Sequence, residues 1–179
     1  MFVDIGQYIC HWIALAVGEG FRVHVVDYAR LEVPFRELGL ERGVLAALRE
    51  FRDQMCKPGW MDADGKTRRS PDQVWIDAGW QGERDELDFV YSFCTESNDG
   101  NDARGIYRPT LGRGAGMHGF RQPAKRTPEV PHVGDGYYIA RASRDKRRVY
   151  RVYMNADYWK TFVHARLSTP VESPGAMTL

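Results

Sequence analysis

No stretch of this sequence approaches the roughly 20 consecutive apolar residues needed to cross a bilayer, so a membrane-spanning helix is not expected. No basic leader precedes a long apolar run either, and Asp4 interrupts the start, which argues against a secretory signal. Cysteine is scarce. Cys10, Cys56 and Cys94 are odd in number and lack paired spacing, which disfavours a disulfide framework or a zinc site and favours a reducing cytoplasm. The few histidines show no His/Cys spacing of a zinc centre. Internal repeats and an interdomain linker are missing as well, so residues 1–179 read as one domain.

A nucleotide-binding loop is excluded by spacing. Gly65, Lys66 and Thr67 spell the end of a P-loop, but the position that must be glycine is Trp60, and no strand leads in.

Hydrophobic residues at 43% and charged residues at 27% are ordinary globular values. The net charge of +1 hides an uneven distribution. Acids dominate from Glu83 to Asp102, with Arg84 the lone base. Then the sign reverses: Arg104, Arg108, Arg113, Arg121, Lys125 and Arg126 follow with no intervening acid, and Arg141, Arg144, Lys146, Arg147, Arg148 and Arg151 come soon after. Such blocks are the footprint of a polyanion-binding surface, or a solvated face.

The periodicity predicts an α/β layer fold with a mixed sheet. MFVDI, YICHWIALAV and FRVHVVDY read as three strands, the last two joined by the turn GEG. A helix over 38–55 places Val44, Leu48, Phe51 and Met55 on one stripe, and KPGWMDADGKTRRSP follows as a polar loop. VWI at 74–76 is apolar on both faces and fits a central parallel strand. ERDELDFVYSFCTESN reads as a helix with acids at its positive end and a stripe of Leu87, Val90, Tyr91 and Cys94. A strand near 105–109, a long loop over 112–136 and a basic hairpin around RDK come next. The last helix, ADYWKTFVHARL, takes Asn155 as its N-cap and puts Trp159, Phe162, Val163 and Leu167 on one face.

Both MFVDIG and VWIDAGW close an apolar run on an aspartate two positions before a glycine. Singly, Asp4 and Asp77 read as well as Asp-x-Gly turns. In open α/β sheets, however, ligands gather beyond the carboxyl ends of the strands, and two carboxylates at neighbouring strand ends repel unless a cation or proton lies between them. Asp157, in the first turn of the last helix, is the third candidate. Oxygen ligands of this kind suit magnesium, with water and substrate phosphate completing the sphere. Two ions held by the three aspartates are the arrangement expected for phosphodiester hydrolysis.

The stretches VWIDAGW, DFVYSFC, YRPTLGRGAG and NADYWKTFVHARLSTPVESPGAMTL, in this order, resemble the C-terminal nuclease domain of the tailed-phage terminase large subunit, the GpA-like branch in particular. The likeness spans nearly the whole chain. It implies an RNase H-like mixed β-sheet flanked by helices, with an additional basic hairpin and C-terminal helix. It also implies an endonuclease that cuts concatemeric double-stranded DNA with magnesium or manganese. By that resemblance the catalytic and metal-holding acids fall on Asp4, Asp77 and Asp157. The DNA-contacting bases are expected at Arg104, Arg108, Arg113, Arg121, Lys125, Arg126, Arg147 and Arg148, with Lys160 and His118 as possible supporting groups. The implied partners are DNA, the portal and the small terminase subunit, in the cytoplasm of an infected bacterium. The family's ATPase motor is absent here, and only three residues precede Asp4, so an excised domain or incomplete reading frame is expected. Two rivals stand beside this reading: a Holliday-junction resolvase-like nuclease, and a non-catalytic module that docks DNA or the portal.

Overall fold

The computed structural model describes residues 1–80, 86–100, 105–114, 119–142 and 149–179. The chain opens with a meander of β1 (Phe2–Asp4), β2 (Ile9–Val17) and β3 (Val23–Glu32). Helix α1 (Phe35–Phe51) follows, extended by one wider turn over Arg52–Cys56. Its regular part begins only after Gly39, whose φ of 73° breaks the first turn away. The segment expected to be a plain loop contains a small separate hairpin, β4 (Trp60–Met61) and β5 (Arg68–Arg69). GKT lies in the turn between these two strands. There the Asp64 carboxylate accepts from the backbone N–H groups of Lys66 (2.8 Å) and Thr67 (2.9 Å).

Strand β6 (Val74–Asp77) is followed in the chain by α2 (Asp88–Ser97) and then by β7 (Tyr107–Arg113). After it come β8 (His132–Gly134), β9 (Tyr137–Arg141), β10 (Tyr150–Asn155), α3 (Ala156–Leu167) and β11 (Met177–Thr178). Nine of these strands form one mixed sheet in the order β11-β3-β2-β1-β6-β7-β10-β9-β8. Its centre is four parallel strands, β1, β6, β7 and β10. β2 and β9 run antiparallel to their neighbours on either side.

Alternation decides the two faces. Val3, Val74, Ile76, Tyr107 and Leu111 point to the side where α1 and α2 pack, and all are buried. Val44, Leu48 and Phe51 of α1 and Val90, Phe93 and Cys94 of α2 complete that core at 4% exposure or less. The expected helical stripes are therefore the buried ones, except that Met55 lies beyond α1 and is only partly buried, and buried Leu87 precedes α2 as its N-cap. Phe93 meets Tyr107 edge-on at 5.7 Å, and Trp12 meets Phe51 at 5.4 Å; such ring pairs favour edge contacts for electrostatic reasons. The opposite face carries Asp4, Trp75, Asp77, Thr110 and Gly112. Helix α3 lies on that side, where Trp159 touches Tyr137 and Tyr137 touches Trp75.

Further local expectations change, among them the long loop over 112–136, whose first two residues belong to β7 and whose residues 132–134 form β8. Of the acids expected at the start of the second helix, Asp88 is in its first turn, Glu86 precedes it and pairs with Gly79 in an isolated bridge, and Glu83 and Asp85 lie outside the described residues. β7 reaches Arg113, well beyond the expected 105–109, because it is held on both sides by parallel neighbours. Leu167, expected on the buried face of the last helix, is 49% exposed, and no residue of α3 is fully buried.

Candidate functional site

Phe2 stands opposite Trp75 and Val3 opposite Ile76 across the parallel pair β1–β6. One step further along the same register, the two strands end side by side on Asp4 and Asp77. The apolar runs end there because the strands leave the sheet interior at that level. Ala78 still donates its N–H to the Thr110 carbonyl at 2.9 Å, and the chain then turns away. The turn is the Asp-x-Gly turn anticipated from sequence, with Gly79 N–H donating to Asp77 Oδ1 at 3.0 Å. Turn chemistry and site placement thus coincide in one residue.

Asp4 and Asp77 line one cleft of about 530 Å³, together with Gly79, Trp80, Gly112, Met154 and three further residues. Asp4 is exposed and Asp77 is half-buried. Burial pushes the Asp77 carboxyl above the usual carboxylate range, the Gly79 N–H pulls it back, and the negative charge of Asp4 raises it again. A carboxylate pushed upward by burial and by a like charge is relieved by a cation.

Asp157 reaches the same end of the sheet by another route. The side chain of Asn155 caps α3 by accepting from Tyr158 N–H at 3.1 Å, which sets Asp157 in the first turn. It lies against Gly114, where a Cβ would come 3.4 Å from its carboxylate. Asp157 is exposed and lies outside the residues lining the cleft. The fold therefore joins Asp4 to Asp77 and keeps Asp157 at the margin. Among the described residues no three His, Cys, Asp or Glu side chains gather closely enough to hold one ion.

The residues present nevertheless fit a divalent ion that retains water and takes phosphate oxygen. The donors are hard carboxylate oxygens, the type magnesium and manganese accept. Glycines leave room beside them: a Cβ at Gly79 would crowd Asp77 Oδ1 at 3.3 Å, and Gly112 presents no side chain to the cleft. Behind Gly112, the hydroxyl of fully buried Thr110 has no hydrogen-bond partner among the described residues.

The basic residues divide. Arg108 donates through Nε to Gln73 Oε1 at 3.2 Å, and Arg113 ends β7 opposite Asn155. Arg121, Lys125 and Arg126 are exposed between β7 and β8, and Lys160 is exposed on α3. Arg104, Arg147, Arg148 and His118 lie outside the described residues. Arg151, grouped by sequence with the phosphate-binding bases of the hairpin, has a structural role instead. Its Nη1 meets both carboxylate oxygens of Glu86 at 3.0 and 2.9 Å, with side chains only 13% and 9% exposed. The Tyr91 hydroxyl donates to Glu86 at 2.8 Å, and the Arg151 guanidinium sits 4.5 Å from the Tyr153 ring centroid. Because Glu86 also pairs with Gly79, this network anchors one of the residues that line the cleft.

Comparison with protein-family models, characterised proteins and solved structures gives no match. Two features of the site were not singled out from sequence. The Glu86–Arg151 pair joins residues far apart in the chain, and nothing local signals it. Thr110 had a signal: it is the lone polar residue in the buried run of β7.

Proposed function

We propose that this chain is a metal-dependent endodeoxyribonuclease domain with an RNase H-like fold, the nuclease part of a phage DNA-packaging terminase. The observation that carries the reading is the register placing Asp4 beside Asp77 at the carboxyl ends of adjacent parallel strands, in a cleft with glycine walls. The sheet supports the fold assignment through the central order β3-β2-β1-β6-β7, in which β2 alone is reversed.

In this reading Asp4 and Asp77 hold magnesium or manganese, and Asp157 joins them from α3 when DNA is bound. The bound ions supply a lowered pKa for the attacking water and neutralisation of charge on the scissile phosphate. The protein's own share is positional. The Gly79 N–H fixes one oxygen of Asp77, and Gly112 leaves the cleft floor open to a backbone phosphate. Arg113 and the exposed bases Arg121, Lys125 and Arg126 contact phosphates along the duplex, which gives affinity without reading sequence. The ATPase motor, the portal and the small terminase subunit are the partners, in the cytoplasm of the infected cell.

The test is nicking or linearisation of supercoiled plasmid. Cutting is expected with magnesium or manganese and is abolished by EDTA; calcium binds without supporting turnover, since its looser coordination positions water poorly. Cutting that persists in excess EDTA overturns the metal mechanism. The rival of a non-catalytic docking module is favoured by the absence of a three-ligand group among the described residues. It predicts DNA binding without cutting under any metal.

A further inference from the structure

Thr110 occupies an unusual position. It is fully buried in the middle of the sheet, and its hydroxyl has no hydrogen-bond partner among the described residues. Valine has the same shape, has high strand propensity and leaves nothing unsatisfied. A buried hydroxyl without a partner costs stability, and such groups call for a reason, an absent ion or water among them.

The register supplies the reason. Thr110 is the direct neighbour of Asp77 across the parallel pair β6–β7, and of Val152 across β7–β10. Register neighbours in a sheet share a face. Asp77 is thus the polar side chain flanking Thr110 in its row, and the other flank is apolar. Two residues further along β7, on the same face, Gly112 lines the acidic cleft. The Asp77 carboxylate, for its part, is held at Oδ1 by Gly79.

We propose that Thr110 is a positioning residue of the acidic cleft: its hydroxyl donates to the Asp77 carboxylate when the cleft holds a divalent cation, fixing the plane of that ligand. This rests on the metal-site reading above and deepens it. Carboxylates that ligate a metal are themselves held by hydrogen bonds, and loss of such a partner typically costs about 10–100-fold in metal affinity. The hydroxyl is therefore kept for the loaded state at a cost to the empty one.

The test needs no substrate. Manganese is titrated into wild type, Thr110→Val and Thr110→Ser, with free manganese followed by electron paramagnetic resonance, and each protein is melted in EDTA. Thr110→Val is expected to weaken manganese binding about 10–100-fold while melting at or above the wild-type temperature in EDTA. Thr110→Ser, which keeps the hydroxyl, is expected to bind within about threefold of wild type. In an Asp77→Asn background, Thr110→Val is expected to add no further loss. Equal affinity in wild type and Thr110→Val overturns the inference, as does an equal loss in the valine and serine variants. Wild type that fails to bind manganese overturns the metal site itself, and this inference with it.

Discussion

Replacing Asp77 with asparagine separates a turn from a ligand. The variant keeps the side-chain size and the Oδ1 acceptor for Gly79 N–H, so the turn loses nothing. It removes one of two negative charges at adjacent strand ends about 5 Å apart. Two like charges at that distance repel by about 0.8 kcal/mol at the dielectric of water and by about 3 kcal/mol at an effective value near 20. Asp4 is exposed, which places the relief near the lower figure, about 1 kcal/mol.

For a protein of this length that corresponds to a rise in Tm of about 2–4 °C in metal-free buffer. The sign follows from the direction of the shift. A carboxyl held above its unfolded value destabilises the fold at neutral pH, and the penalty fades as pH falls and the group protonates. The gain from Asp77→Asn is thus present at pH 7 and shrinks on acidification.

Manganese reverses the ranking. At 100 times its Kd a ligand adds about 2.7 kcal/mol to wild type, or about 5–10 °C, and the variant loses most of this together with plasmid cleavage. The assay is differential scanning fluorimetry with and without manganese, alongside plasmid nicking. A folded Asp77→Asn protein that melts no higher than wild type in EDTA, gains the same increment from manganese and cuts at the wild-type rate refutes the ligand assignment.

Breaking the buried ion pair by Arg151→Met is expected to destabilise by about 3–5 kcal/mol in urea titrations, because Glu86 is left charged and unpaired; a loss under 1 kcal/mol would show the pair to be solvated. Asn155→Ala removes the cap of α3 and is expected to cost about 1 kcal/mol, with a drop in cleavage if Asp157 works from that first turn. Substituting Lys125 and Arg126 together with alanine is expected to lower the salt slope of DNA binding by roughly one unit per lost phosphate contact, alike for all sequences; an unchanged slope places both away from DNA. Burial holds the Cys56 thiol protonated by pushing it up to about 11 and raises Cys10 as well. Reaction with a thiol reagent at pH 8 is therefore expected to be slow in native protein and rapid in denaturant; fast native labelling would contradict the buried placement.

Most of the element order was legible because it rests on local rules. The stripe Val44, Leu48, Phe51 follows helical period, the Asn155 cap is a nearest-turn hydrogen bond, and the Asp-Ala-Gly turn at 77–79 forms within three residues. What failed depended on partners remote in sequence. Glu86 reads as a helix-start acid until Gly79 and Arg151 claim it, and Arg151 reads as a phosphate contact until Glu86 and Tyr91 enclose it. Charge is visible in a sequence, whereas desolvation depends on what folds over the charge.

The sequence by itself determined that two apolar strands end on aspartates and that Asp77 sits in a tight turn, since hydrophobic runs and Asp-x-Gly chemistry act over a few residues. Only the tertiary structure decided that those two ends are neighbours, that Asp157 stays at the margin of their cleft, and that Thr110 sits beside Asp77 with no hydrogen-bond partner among the described residues. Strand order and register come from long-range pairing across the sheet, and no local pattern encodes which strand lies next to which.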